Sequence, residues 1–162
     1  MSRLPHAAFF GAALLCALQA FHYAPLLPET IASHFGPGGT PNGWMSSSFF
    51  IKINLGVIVL VVFSLYAASS RMRSVDPATL KLPNKDYWLA PERRGETVEF
   101  LSGYFLWFGA ATLVLLLDIF HQVFRYNLFL SRELDHPRAS LGVYVSFAVL
   151  WIAGLHFRFR RK

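Results

Sequence analysis

Between Val98 and Phe124 the chain reads VEFLSGYFLWFGAATLVLLLDIFHQVF, with no charge between Glu99 and Asp118. A bilayer core of about 30 Å takes roughly 20 apolar residues to cross as a helix, and this run meets that length. An isolated strand cannot satisfy its backbone in lipid, so a run of this kind must be helical. Three further blocks behave alike: Leu4 to Tyr23, Phe49 to Ala68 and Leu141 to Phe157. The expected fold is therefore all-α, a single integral membrane domain over 1–162 with four transmembrane helices. These fall at about 4–23, 49–68, 98–124 and 141–157, with a structured outer loop at 24–48, an inner loop at 69–97 and a second outer loop at 125–140.

The composition agrees. Hydrophobic residues make up 54% and charged residues 15%, which separates the chain from ordinary soluble domains. A net charge of +6 would suit nucleic acid if the basic residues formed one patch. They flank the apolar blocks instead, as they do beside a bilayer, so lipid is the expected partner and nucleic acid is not. Cys16 is the sole cysteine and lies inside the first block, where a packing role is expected. That block also invites reading as a secretory signal. No small-x-small cleavage site follows it, and the LLC ending at Cys16 lacks the small residue of a lipoprotein signal. A retained helix is the reading adopted.

Lys and Arg counts set the expected orientation. With the N-terminus inside, the inner side holds Arg3, Arg71, Arg73, Lys81, Lys85, Arg93, Arg94, Arg158, Arg160, Arg161 and Lys162. The outer side holds only Lys52, Arg125, Arg132 and Arg138. The positive-inside bias then puts both termini in the cytoplasm.

The first outer loop carries no Lys or Arg. LPETIASHFG reads as one short helix, with Pro28 at its first position, Glu29 at its positive end and Gly36 as its stop. Gly38, Gly39 and the Pro41-Asn42-Gly43 run supply turn chemistry, and Trp44 suits a membrane interface. In the second loop, Tyr87, Trp88 and Leu89 read as an interfacial anchor, and Ala90-Pro91-Glu92 as the start of the third helix.

Chemistry concentrates at the outer end of that third helix. Asp118, His121, Gln122 and Arg125 recur at i, i+3, i+4 and i+7 and share a face. His22, Lys52 and Asn54 fall at the same level. A carboxylate in a membrane helix needs a partner, and the leading expectation is an ion pair from Asp118 to Lys52 or Arg125. A protonation relay through the histidines is a second reading. A divalent metal held by His22, His34, Asp118 and His121 is a third, but no tight His/Glu spacing supports it. No metal and no cofactor are expected. No nucleophile elbow, P-loop, GxGxxG or paired intramembrane aspartates appear, so an enzyme is not expected either.

Two stretches resemble a known family. LPETIASHFGPGGTPNGW (Leu27 to Trp44) resembles the loop of a small bacterial membrane domain of unknown function that forms the N-terminal part of SdpI-type proteins. LPNKDYWLAPERRGET (Leu82 to Thr97) is similar to the cytoplasmic stretch of many members. The resemblance covers roughly the first two-thirds of the chain and rests on His34, Phe35, Gly36, Gly39, Pro41, Gly43 and Trp44. It implies a multi-helix inner-membrane protein, and some SdpI-type members give immunity to a secreted peptide toxin and relay its presence to a regulator. This chain has four blocks, fewer than full-length members. The expected function is a non-enzymatic membrane binding, signalling or immunity-type protein that uses those outer-loop residues to contact a membrane-protein or peptide partner. An accessory subunit of a larger membrane assembly and a small proton- or metal-linked transporter are the alternatives.

Overall fold

The computed structural model describes residues 3–76 and 79–160. Arg161 and Lys162, part of the basic closing tail, lie outside the described residues. In chain order the elements are α1 (Leu4–Tyr23), β1 (Thr30–Phe35), β2 (Pro41–Ser46), α2 (Ser47–Arg71), α3 (Lys85–Trp88), α4 (Pro91–Asn127) and α5 (Pro137–Arg160). Helices α1, α2, α4 and α5 are each long and apolar enough to cross a membrane, which supports a multi-pass membrane protein.

Helix α4 is the hub, packing against α1, α2 and α5. At about 1.5 Å per residue its 37 residues span about 55 Å, well beyond a bilayer core. In lipid the hydrophobic effect does not pull helices together, so close packing and interhelical hydrogen bonds must. Both are present. Gly109 lets α1 approach so closely that a Cβ there would lie 2.5 Å from the ring of Phe9, itself fully buried. Around that contact Ala12, Cys16, Ile58, Leu106 and Leu113 form one buried cluster. The Ser69 hydroxyl meets the Ser102 hydroxyl at 2.7 Å, tying α2 to α4. Gln19 Nε2 donates to the Leu117 carbonyl at 3.0 Å, tying α1 to α4. Thr112 and Tyr144 join hydroxyls at 2.7 Å across α4 and α5.

At the opposite end from the hairpin, α3 serves the end of α5. The last carbonyls of a helix have no partner within it. Here Trp88 Nε1 donates to the Phe159 carbonyl at 3.0 Å, and Asn84 Nδ2 to the Arg160 carbonyl at 2.9 Å. Trp88, expected as an interfacial anchor, forms a clasp on α5.

The first interhelical loop corrects two expectations. It is ordered, but LPETIASHFG does not form a helix. Thr30–Phe35 is a strand, antiparallel to Pro41–Ser46, so the fold is mostly helical with a two-stranded hairpin and is not all-α. Side chains of β2 alternate between half-buried and exposed along its whole length, the period-two signature of a strand. Thr30 and Ile31 are β-branched, and pairing with β2 overrides the helix-start signal of Pro28 and Glu29. Gly36–Thr40 turns the chain, with Gly36 N–H on the Thr40 carbonyl at 2.8 Å. Gly39 has φ of 78°, the left-handed region that favours glycine. Gly43 faces His34, whose Cβ would be only 3.1 Å from a Cβ placed there.

Candidate functional site

The hairpin is bolted to the bundle by side chains that the sequence reading had not singled out. Asn127, the last residue of α4, is buried and presents its amide to the outer edge of β1. Its Oδ1 accepts from the Ala32 N–H at 2.8 Å, and its Nδ2 donates to the Ala32 carbonyl at 2.9 Å. One side chain thereby substitutes for a third strand. Beneath it, Ile31, Phe50, Val123, Phe124 and Leu134 form a second buried cluster. Gly39 at the hairpin turn accepts the Leu134 N–H at 3.4 Å, so the hairpin also touches the α4–α5 connection.

That connection opens with a Schellman closure of α4. Leu130 N–H reaches the Arg125 carbonyl and Phe129 N–H the Tyr126 carbonyl, each at 3.0 Å. The residue that must take the left-handed conformation in this motif is usually glycine. Here it is Phe129, with φ of 58°. A left-handed conformation costs a side-chain-bearing residue roughly 1–2 kcal/mol, and no burial offsets it, since Phe129 is 91% exposed. An aromatic ring held in a costly conformation and presented to the surroundings is the feature most in need of a functional account.

Phe129 borders a cup of about 460 Å³. The hairpin side contributes Thr30, Ala32 and the exposed Trp44; the α4 side contributes Tyr126, Asn127, Ser131 and Arg132. Ser131 Oγ is buried without a hydrogen-bond partner among the described residues. Three aromatic residues, Trp44, Tyr126 and Phe129, therefore line one concavity together with Ser131 and Arg132. A lining of this chemistry can accommodate an apolar group beside a hydrogen-bond acceptor.

A second polar arrangement lies close by, where α4 meets α5. Ser140 donates to Asp118 Oδ2 at 2.5 Å, and Gln122 Nε2 donates to the same oxygen at 2.8 Å. Gln122 Oε1 accepts the His136 N–H at 3.0 Å. His136 Nε2 stands 3.5 Å from Asp118 Oδ1. The fully buried Gln122 is the keystone, because it joins the helix to the α4–α5 corner.

The residues expected to share this site part company. Asp118 pairs with neither Lys52 nor Arg125. Lys52 is exposed on α2, and Arg125 Nε lies 3.6 Å from Asp135. His121 turns to α1, with its Nδ1 3.3 Å from the Tyr23 hydroxyl. His22 is exposed and packs edge-on to Tyr23, and His34 bonds the neighbouring Ser33 hydroxyl at 3.0 Å. Among the described residues no group of three or more His, Cys, Asp or Glu is placed to hold a metal. His22, His34, Asp118 and His121 therefore do not gather into the metal site considered above. Asn54 is buried on α2, with its Oδ1 unpartnered among the described residues. Of the loop residues tied to the resemblance, Trp44 lines the cup. Phe35 packs edge-on to Tyr126, Pro41 and Gly43 build β2, and Gly36 and Gly39 shape the turn. Sequence reasoning placed His136 on the outer side without joining it to Asp118, and missed Asn127, Phe129 and Ser140. The Asp135-His136-Pro137 run was a usable signal, since proline at the first helical position marks the start of α5.

A domain family described as a domain of unknown function (DUF1648) matches residues 11–59, from within α1 through the hairpin into α2. No curated protein and no solved structure matches the chain.

Proposed function

We propose that the chain is a non-enzymatic membrane binding protein that captures a peptide or a partner-protein segment in the cup between the hairpin and the α4–α5 connection. Phe129 carries this reading: it occupies a glycine position at an energetic cost and lines the same cup as Trp44. A side chain from the partner would sit against those rings, with a carboxylate or carbonyl of the partner on Arg132 and the Ser131 hydroxyl. The Lys and Arg distribution favours a cup facing away from the cytoplasm, in a bacterial inner membrane with both termini inside. The loop's resemblance to SdpI-type proteins favours a secreted peptide as the class of partner, and immunity or signalling as the outcome of capture.

The test is to select binders from a displayed library of random extended peptides, using the protein reconstituted in nanodiscs. Binders enriched by the wild type and lost together on Trp44→Ala and on Phe129→Gly support the cup. Equal enrichment by all three proteins would refute it. A Gly38→Cys variant that resists an impermeant maleimide added to intact cells, while reacting once they are opened, would refute the orientation.

A further inference from the structure

A groove of about 780 Å³ runs along α4 between α1 and α5, separate from the cup. Small residues make the room: Ala8 and Ala12 on α1, Ala110 and Ala111 on α4, Ala139 on α5. Trp107 and Trp151 close one end, and Asp118, His136 and Ser140 stand at the other. From Trp107 to Asp118 the helix rises about 16 Å. That is about half the bilayer core, the depth of one leaflet. The groove is thus an apolar channel of one-leaflet length with a polar head.

The head has an excess of acceptors. The Gln122 amide, the Ser140 hydroxyl and the His136 N–H already donate within the cluster. Asp118 Oδ1 takes no hydrogen bond from a described residue and has only the His136 imidazole at 3.5 Å. The nearest helix-borne cation of α4, Arg125, is engaged with Asp135, and Arg138 lies exposed in the first turn of α5. A carboxylate at the mouth of an apolar channel selects a cationic, hydrogen-donating head and repels an anionic one. We infer that the groove binds a single-chain amphiphile bearing a protonated amine, with its chain along α4 and its ammonium on Asp118.

The chain can report on this itself. Of its four tryptophans, Trp107 and Trp151 line the groove and Trp44 and Trp88 do not. In a Trp44→Phe, Trp88→Phe background, dodecylamine carrying bromine at the far end of its chain should quench the remaining emission. Half-quenching should come at a concentration about tenfold lower than for the matching bromododecanol, the effect of a charge-assisted hydrogen bond. Asp118→Asn should erase the preference for the amine and leave quenching by the alcohol unchanged. Val143→Phe, at a position on the groove wall that is 72% exposed and so tolerant of bulk, should weaken quenching by both probes. Ala111→Phe should do the same from the α4 side. Equal potency of amine and alcohol in the parent, or a preference that survives Asp118→Asn, would overturn the assignment of the head. Quenching untouched by both groove-filling variants would overturn the assignment of the chain.

Discussion

The side-chain amide of Asn127 pairs with both backbone groups of Ala32, accepting at 2.8 Å and donating at 2.9 Å, as a neighbouring strand would. Since Ala32 is buried, neither group has water as a substitute. Asn127→Ala should cost on the order of 3 kcal/mol by stranding a donor and an acceptor. Amide exchange at Ala32 should accelerate by about a hundredfold, while helix content measured by circular dichroism stays constant. Unchanged exchange at Ala32 would show that the hairpin is held by its apolar underside alone.

Phe129→Gly should raise stability and lower binding together. Glycine takes the left-handed conformation without penalty, so the melting free energy should rise by about 1 kcal/mol. Thermal denaturation in detergent, run beside the peptide-capture assay, gives both numbers. A destabilised variant would mean that the ring makes a supporting contact.

Two glycines should respond in opposite ways to alanine. At Gly109 the new methyl would meet the Phe9 ring at 2.5 Å and the Leu65 side chain at 3.1 Å, prying α1 and α2 from α4. Overpacking of this kind costs about 1–3 kcal/mol. At Gly56 nothing lies within 4 Å, and alanine should be neutral or stabilising by up to about 1 kcal/mol. Unfolding of the two variants under matched detergent conditions makes the comparison, and equal effects would contradict the close approach at Gly109.

Gln122→Leu should unfasten the α4–α5 corner. The His136 N–H loses its acceptor and Asp118 loses a donor, at a cost of roughly 2–3 kcal/mol. Limited proteolysis should then cut between Ser131 and His136 faster than in the wild type. The hairpin, latched independently through Asn127, should keep its resistance.

The spanning helices were legible because lipid forces backbone satisfaction within each segment, so length and hydropathy alone mark them. Local signals also located Pro91 at the start of α4. The hairpin was not legible. Pro28, Glu29 and Gly36 form a plausible helix frame within ten residues, whereas the pairing of Thr30 with Ser46 depends on residues sixteen positions apart. The polar cluster was half legible. Spacing put Asp118 and Gln122 on one face, and they do hydrogen-bond. Which charges complete the set is decided by how α5 folds back, and that brings His136 and Ser140 to Asp118 where sequence distance favoured Arg125. Asn127 carried no signal, because a polar residue closing a membrane helix is ordinary until its neighbour across space is known.

Strand β2 ends at Ser46 and α2 begins at Ser47, with no residue between them, and the Ser47 N–H is fastened back to the Glu29 carbonyl at 2.9 Å. Such a joint has no slack. Any force that tips the hairpin must either snap that fastening or swing α2 like a crank, carrying Arg71 at its far end along an arc on the other face of the bilayer.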